Sequence, residues 1–153
     1  GLAEHMKLLM INQSRDKVSE AWMSKWLRAI PGLLPKKVAN GSMKGKEIVV
    51  VFVTSGEMKK LNHLYRGKNY ATDVLSFETE DPDCVGELVI CMPVVRSQSK
   101  RTGLGERGEL GYMILHGVLH LLGLDHDVPK REAEMFALQD RVFGLLEKKV
   151  GLR

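Results

Sequence analysis

The stretch that most constrains this chain runs from about Glu106 to Leu122. Leu110, Met113, Ile114, Val118, Leu119, Leu121 and Leu122 would put apolar side chains on nearly every side of a helix of that length. A helix without a polar face has to be covered all round, so it predicts a central element with the rest of the chain laid on it. The same helix carries His116 and His120, four residues apart and therefore one turn apart on one face. Gly123 stands where the helix must stop, because glycine takes the left-handed conformation of a helix end at low cost. On an unbroken helix, His126 would sit roughly 80° off that face and ~15 Å along the axis from His116. A reversal at Gly123 instead returns His126 to the other two. Three neutral imidazoles on one point, with a fourth position open, form an arrangement typical of catalytic zinc. Such a donor set favours zinc but would also accept nickel, copper or iron.

Composition sets further limits. A chain of 153 residues supports one core and not two, so residues 6–153 read as a single domain. Residues 1–5, ending in His5 before Met6, read as a tag remnant, and His5 is left out of the functional argument. The net charge of +4 is compatible with a polyanionic partner such as RNA without requiring one. Cys84 and Cys91 do not form a C-x-x-C pair and read as core or loop thiols of a reducing, cytoplasmic environment. No apolar run approaches the ~20 residues that cross a bilayer, and no signal peptide is visible.

Taken in order, Lys7 to Asn12 reads as a first or edge strand. Ser14-Arg15-Asp16 then offers caps for an amphipathic helix over about 15–30, ended by Pro31-Gly32, with Trp22 and Trp26 as core rather than as a stacking platform. Residues 31 to 45 read as loop. Glu47 to Thr54 contains six apolar residues in a row and predicts a central strand covered on both faces. Thr54-Ser55-Gly56-Glu57 matches a capping box for a helix through about Tyr65, with Leu61, Leu64 and Tyr65 as its buried stripe and His63 on the surface or in packing. Strands over 72–78 and 86–92, joined by the acidic turn Glu80 to Asp83, form an antiparallel hairpin. Pro93 opens a short helix to about Lys100, and Pro129 opens the last one, to about Lys149, with Ala133, Phe136, Ala137, Val142, Phe143 and Leu146 inward. The fold class is α+β: a mixed four-stranded sheet packed with helices, the central apolar helix carrying the metal-binding histidines.

The spacing H-x-x-x-H-x-x-G-x-x-H is that of metzincin proteases, but those enzymes place a glutamate general base directly after the first histidine. Here that position is Gly117, which disfavours a peptidase. A three-histidine metal site can still activate water and polarise an oxygen, and a phosphodiester is a natural electrophile for it. Its transition state gains negative charge that a guanidinium would stabilise. Arg66, on a basic loop with Lys68, is the candidate, a solvated loop arginine being the alternative. Asp125 could orient a ligand imidazole or cap the turn.

The segment His116-Gly117-Val118-Leu119-His120-Leu121-Leu122-Gly123-Leu124-Asp125-His126 resembles the signature of the bacterial YbeY family, H-G-x-L-H-L-x-G-[YF]-D-H. Leu61 to Lys68 is similar to the family's L-N-x-x-Y-R-x-K, and Thr72 to Phe77 to its P-T-D-V-L-S-F. Val85 to Ile90 resembles L-G-D-I-x-I, and Glu134-Met135 with Ala137-Leu138-Gln139 resembles the final helix. Ala71 replaces a usual proline and Leu124 a usual aromatic; neither is a ligand position. The resemblance implies an α+β, zinc-dependent, single-strand-specific endoribonuclease, a hydrolase acting in 16S rRNA 3′-end maturation and ribosome quality control. By motif position, His116, His120 and His126 are the metal ligands, and Arg66 faces the metal, so Arg66 and His116 are the expected catalytic residues. Single-stranded RNA, 16S rRNA and the ribosome or its small subunit are the expected partners. An RNA- or ribosome-binding assembly factor with a mainly structural metal is the alternative, and a metzincin-like peptidase the minor one. The open fourth position favours the enzyme, since structural zinc sites are usually closed by four protein ligands.

Overall fold

The computed structural model describes residues 6–39, 43–124 and 128–153. Its elements, in chain order, are β1 (Lys7–Asn12), α1 (Glu20–Leu33), α2 (Lys36–Ala39), β2 (Glu47–Phe52), α3 (Ser55–Arg66), β3 (Val74–Phe77), β4 (Cys84–Ile90), α4 (Met92–Thr102), α5 (Gly105–Leu121) and α6 (Pro129–Lys149). The four strands form one mixed sheet in the order β1-β2-β4-β3. β1 and β4 flank β2 in parallel, and β3 closes the far edge antiparallel to β4. The fold is therefore α+β with a mixed four-stranded sheet, and β3 with β4 is the expected hairpin.

The apolar run of β2 is explained by burial on two sides. Ile48, Val50 and Phe52 face a large core formed with α1, α5 and α6, while Val51 and Val53 face a second cluster that includes Met58 of α3. Strand β4 alternates in the same way, Leu88 and Ile90 to one side, Val89 and then Cys91 to the other. Trp22 and Trp26 are both buried in the larger core, their ring centroids 5.0 Å apart.

Several boundaries differ from the sequence reading. Helix α1 starts at a cap on Ser19, whose side chain accepts from the Trp22 amide, because Ser14 is already engaged in a turn with Asn12. The helix also runs through Pro31 to Leu33, and the buried Leu34 beyond it donates to the Pro31 carbonyl. A short helix, α2, occupies part of the expected loop. In α3 the buried residues are Met58 and Asn62, while Leu64 is 72% exposed and Tyr65 61%. In α6 the inward stripe is Met135, Gln139, Val142, Phe143 and Leu146, so Ala133 and Ala137 lie outside it and Phe136 is 37% exposed.

Helix α5 takes the central position its composition predicts and approaches its neighbours at glycine. An added Cβ at Gly111 would lie 2.6 Å from Cζ2 of Trp26, and at Gly117 2.6 Å from Cδ2 of Leu88. A Cβ at Gly86 of β4 would meet Leu121 of α5 at the same 2.6 Å. Trp26 Nε1 donates to the Gly111 carbonyl across this contact (3.0 Å), and Ser76 Oγ to that of Gly117 (3.5 Å).

Two glycine replacements should therefore act with opposite sign. Gly111→Ala gains up to ~1 kcal/mol of helix propensity but overpacks against a fully buried indole, for a net loss of about 1 kcal/mol. Gly144→Ala, with nothing within 4 Å of its added Cβ, gains up to ~1 kcal/mol. Urea denaturation of both variants measures the difference, and equal midpoints would refute the close-approach argument.

Candidate metal centre

Gly117 sets which way the histidines face. With that position pressed on Leu88 and Ser76, His116 and His120, one residue before it and three after, line a cleft of about 630 Å³ that Ser76 also borders. Strand β3 forms one wall of the cleft, and Tyr65 and Arg66 at the end of α3 and Phe136 of α6 complete it. Both histidines are half-buried, their rings 4.6 Å apart at 74°.

Their Nε2 atoms lie 3.1 Å from each other. Two nitrogens on one tetrahedral ion, each bound at about 2.05 Å, lie about 3.3 Å apart. The pair is thus near coordinating separation, and neutral nitrogen donors suit zinc and its neighbours. Among the described residues, no group of three or more His, Cys, Asp or Glu side chains is placed to hold a metal. His126, the expected third ligand, and Asp125 lie outside the described residues.

The stop that the third ligand needs is formed as expected. Gly123 has φ of 89°, its amide donates to the His120 carbonyl (2.9 Å), and the Leu124 amide donates to that of Leu119 (3.0 Å). This is the paired bonding of a Schellman cap, which turns the chain off the helix axis.

The orientation of His116 is held from α6. Gln139 is fully buried, and its Oε1 lies 2.9 Å from His116 Nδ1. Its Nε2 donates to the Tyr112 carbonyl (3.4 Å), so the oxygen of the amide must face the histidine. His116 Nδ1 therefore carries the proton, and its Nε2 lone pair points towards His120. Metal-binding histidines are commonly oriented in this way. Sequence reasoning gave Gln139 no role. The available signal was a polar residue within an otherwise apolar stripe, which burial permits only with hydrogen-bond partners. Beside it, burial first, then the hydrogen bond to Asp140 (2.7 Å), hold the Tyr112 phenol far above its usual range, so it stays protonated.

Arg66 reaches the cleft because α3 ends just after it. Gly67 caps the helix at φ of 68°, and the Gly67 and Lys68 amides return to His63 and Asn62 carbonyls. Buried Asn62 also donates from Nδ2 to the Tyr70 carbonyl (2.8 Å), tying down the loop that follows. Asp73 holds the end of that loop by accepting from the Val74 amide and the Thr72 hydroxyl. The structure thus brings Arg66, His116 and His120 to one cleft, while Lys68 and His63 are exposed and outside its lining.

The family model described as endoribonuclease YbeY matches residues 9–147. A Bdellovibrio bacteriovorus protein named endoribonuclease YbeY is 45% identical over 150 residues, covering 97% of this chain and all of its own length. A relative of the same name from Bacillus cytotoxicus is 35% identical over 140 residues, covering 82% of this chain and 90% of its own. The solution structure of a Thermotoga maritima protein superposes with a TM-score of 0.59 at 26% identity, covering 93% of this chain and 90% of that one.

The Gln139 contact makes a prediction that does not require turnover. Gln139→Leu should weaken zinc affinity about 10–100-fold, measured by chelator competition. In the metal-free variant, long-range nitrogen–proton NMR should show His116 no longer held as the Nδ1–H tautomer. An unchanged affinity and an unchanged tautomer would remove Gln139 from the site.

Proposed function

The chain belongs to the YbeY endoribonuclease family, and on that premise we propose that residues 6–153 act as one metal-dependent hydrolase domain that cuts single-stranded RNA at the cleft holding His116, His120 and Arg66. The observation that carries this reading is the shared cleft: two imidazoles at coordinating separation and a guanidinium distant in sequence line the same cavity. His126, the third histidine of the motif, would complete a three-histidine set for zinc, leaving a coordination position open.

His116 and His120, together with His126, would hold a divalent metal, which when bound would supply Lewis-acid activation of water for phosphodiester hydrolysis. The residues of the chain do the rest. Arg66 binds the phosphate and offsets the negative charge that accumulates as water adds to phosphorus and the bond to one ester oxygen breaks. Gln139 holds His116 with Nδ1 as the hydrogen-bond donor, which leaves Nε2 to face the metal position. Tyr112, kept protonated, supports the wall and takes no proton. The low polarity of Val74, Leu75 and Met113 around the histidines strengthens each of these electrostatic contacts.

We assign the substrate as 16S rRNA near its 3′ end, met on the ribosome or its small subunit in the cytoplasm. This rests on the family resemblance of the motifs; among the described residues no helix is long and apolar enough to cross a membrane.

His116→Ala and Arg66→Glu should each reduce metal-dependent cleavage of an unpaired RNA by at least about 100-fold while leaving thermal unfolding within a few degrees of the parent. Metal analysis of the parent protein should return one zinc per chain. Intact RNA after incubation with metal-loaded protein that still binds small subunits would establish the assembly-factor reading instead, and metal-dependent hydrolysis of peptides would establish the peptidase.

A further inference from the structure

Nine aromatic side chains are present, and six are buried or half-buried. The three exposed ones are Tyr65, Tyr70 and Phe136. Two of these, Tyr65 and Phe136, line the cleft, and Tyr70 lies on the loop that leaves Arg66. This concentration is not what helix periodicity predicts, since both Tyr65 and Phe136 fall on apolar stripes that would normally be buried. Each ring is also ordered by a neighbour. Tyr65 meets Phe77 edge to face, with centroids 5.0 Å apart at 72°, which leaves a tyrosine face directed to solvent. Phe136 lies almost parallel to His116, at 20° and 6.2 Å between centroids. The cleft therefore has one aromatic surface on the Arg66 side and another beside the histidines.

We propose that Tyr65, backed by Phe77, and Phe136 are stacking platforms for two unpaired nucleobases flanking the phosphate bound between Arg66 and the histidines, and that this requirement restricts the cleft to single strands. The assignment rests on the RNA-cleaving reading and adds the basis of its selectivity. A ring face beside a guanidinium matches the two features of a nucleotide, a flat apolar base and an anionic phosphate. A base inside a duplex is already stacked and paired on both sides and cannot lie on either ring without being extruded, which costs energy. Stacking on exposed rings is indifferent to base identity, so the cleft selects strandedness more than sequence.

The test uses the metal-loaded full chain and a short single-stranded RNA with 2-aminopurine beside the cleaved bond. Tyr65→Ala and Phe136→Ala should each raise KM about tenfold and reduce the 2-aminopurine quenching seen on binding. Tyr65→Phe should restore both, whereas Tyr65→Leu, apolar but without a ring, should not. A second substrate carries an abasic residue at the position nearest Tyr65. The parent should lose the same factor on it, and Tyr65→Ala should lose nothing more. Full quenching and parental KM in both alanine variants would overturn the proposal while leaving the nuclease in place. A parent protein that neither binds nor cuts the unmodified RNA would instead overturn the RNA-cleaving reading. Rescue by Tyr65→Leu would overturn stacking in favour of simple apolar contact.

Discussion

The placement of α5 depends on backbone meeting side chain without a Cβ between them. At Gly117 the helix presses on Leu88, at Gly111 on Trp26, and Leu121 presses on Gly86 of β4. Each contact would be shortened to 2.6 Å by a single methyl group, so none of them can slide or rotate without opening a gap or a clash. The helix is held in rotation as well as in position, and that rotation delivers His116 and His120 to the cleft. A shift of one residue in the register of α5 would turn them ~100°, towards the core.

Hydrogen bonds refine what packing sets. The Trp26 indole and the Ser76 hydroxyl both reach carbonyls of α5, at Gly111 and Gly117, where the missing side chains leave the backbone accessible. Buried Gln139 then connects α6 to His116 and to the Tyr112 carbonyl with one amide, using both ends of it. An amide in a buried stripe is costly unless it is satisfied in this way. Asn62, also buried, uses only one end of its amide: Nδ2 ties the Tyr70 carbonyl down behind Arg66, while Oδ1 has no hydrogen-bond partner among the described residues. Both amides hold the two halves of the cleft at fixed positions.

What the sequence made legible follows from how local each cause was. The Gly123 stop, the Thr54 cap, the apolar run of β2 and the β3–β4 hairpin depend on neighbours within a few residues, and all are present. The start of α1 was misplaced because two sets of cap residues competed, and Asn12 had already taken Ser14. The stripes of α3 and α6 were misread for a different reason. Periodicity identifies an apolar face but not what covers it: Leu64 is exposed, and Tyr65 and Phe136 line the open cleft beside Phe77 and His116. Gln139 was passed over since nothing near it in sequence says that His116 lies 2.9 Å away.

The histidine spacing and the choice of substrate are separable in this molecule. The spacing of the histidines is shared with peptide hydrolysis, and what differs is the surroundings. In the peptidases a glutamate follows the first ligand; here that position is glycine, and a Cβ added to it would come within 2.6 Å of Leu88 Cδ2. The glycine that anchors α5 to the sheet thus also removes the group that amide hydrolysis would use. The cap at Gly67 ends α3 immediately after Arg66, which lines the same cavity as the histidines. On the proposed reading, two glycines fixed for backbone reasons, Gly117 in α5 and Gly67 after α3, therefore bear on the choice between amide and phosphodiester chemistry as much as the histidines do.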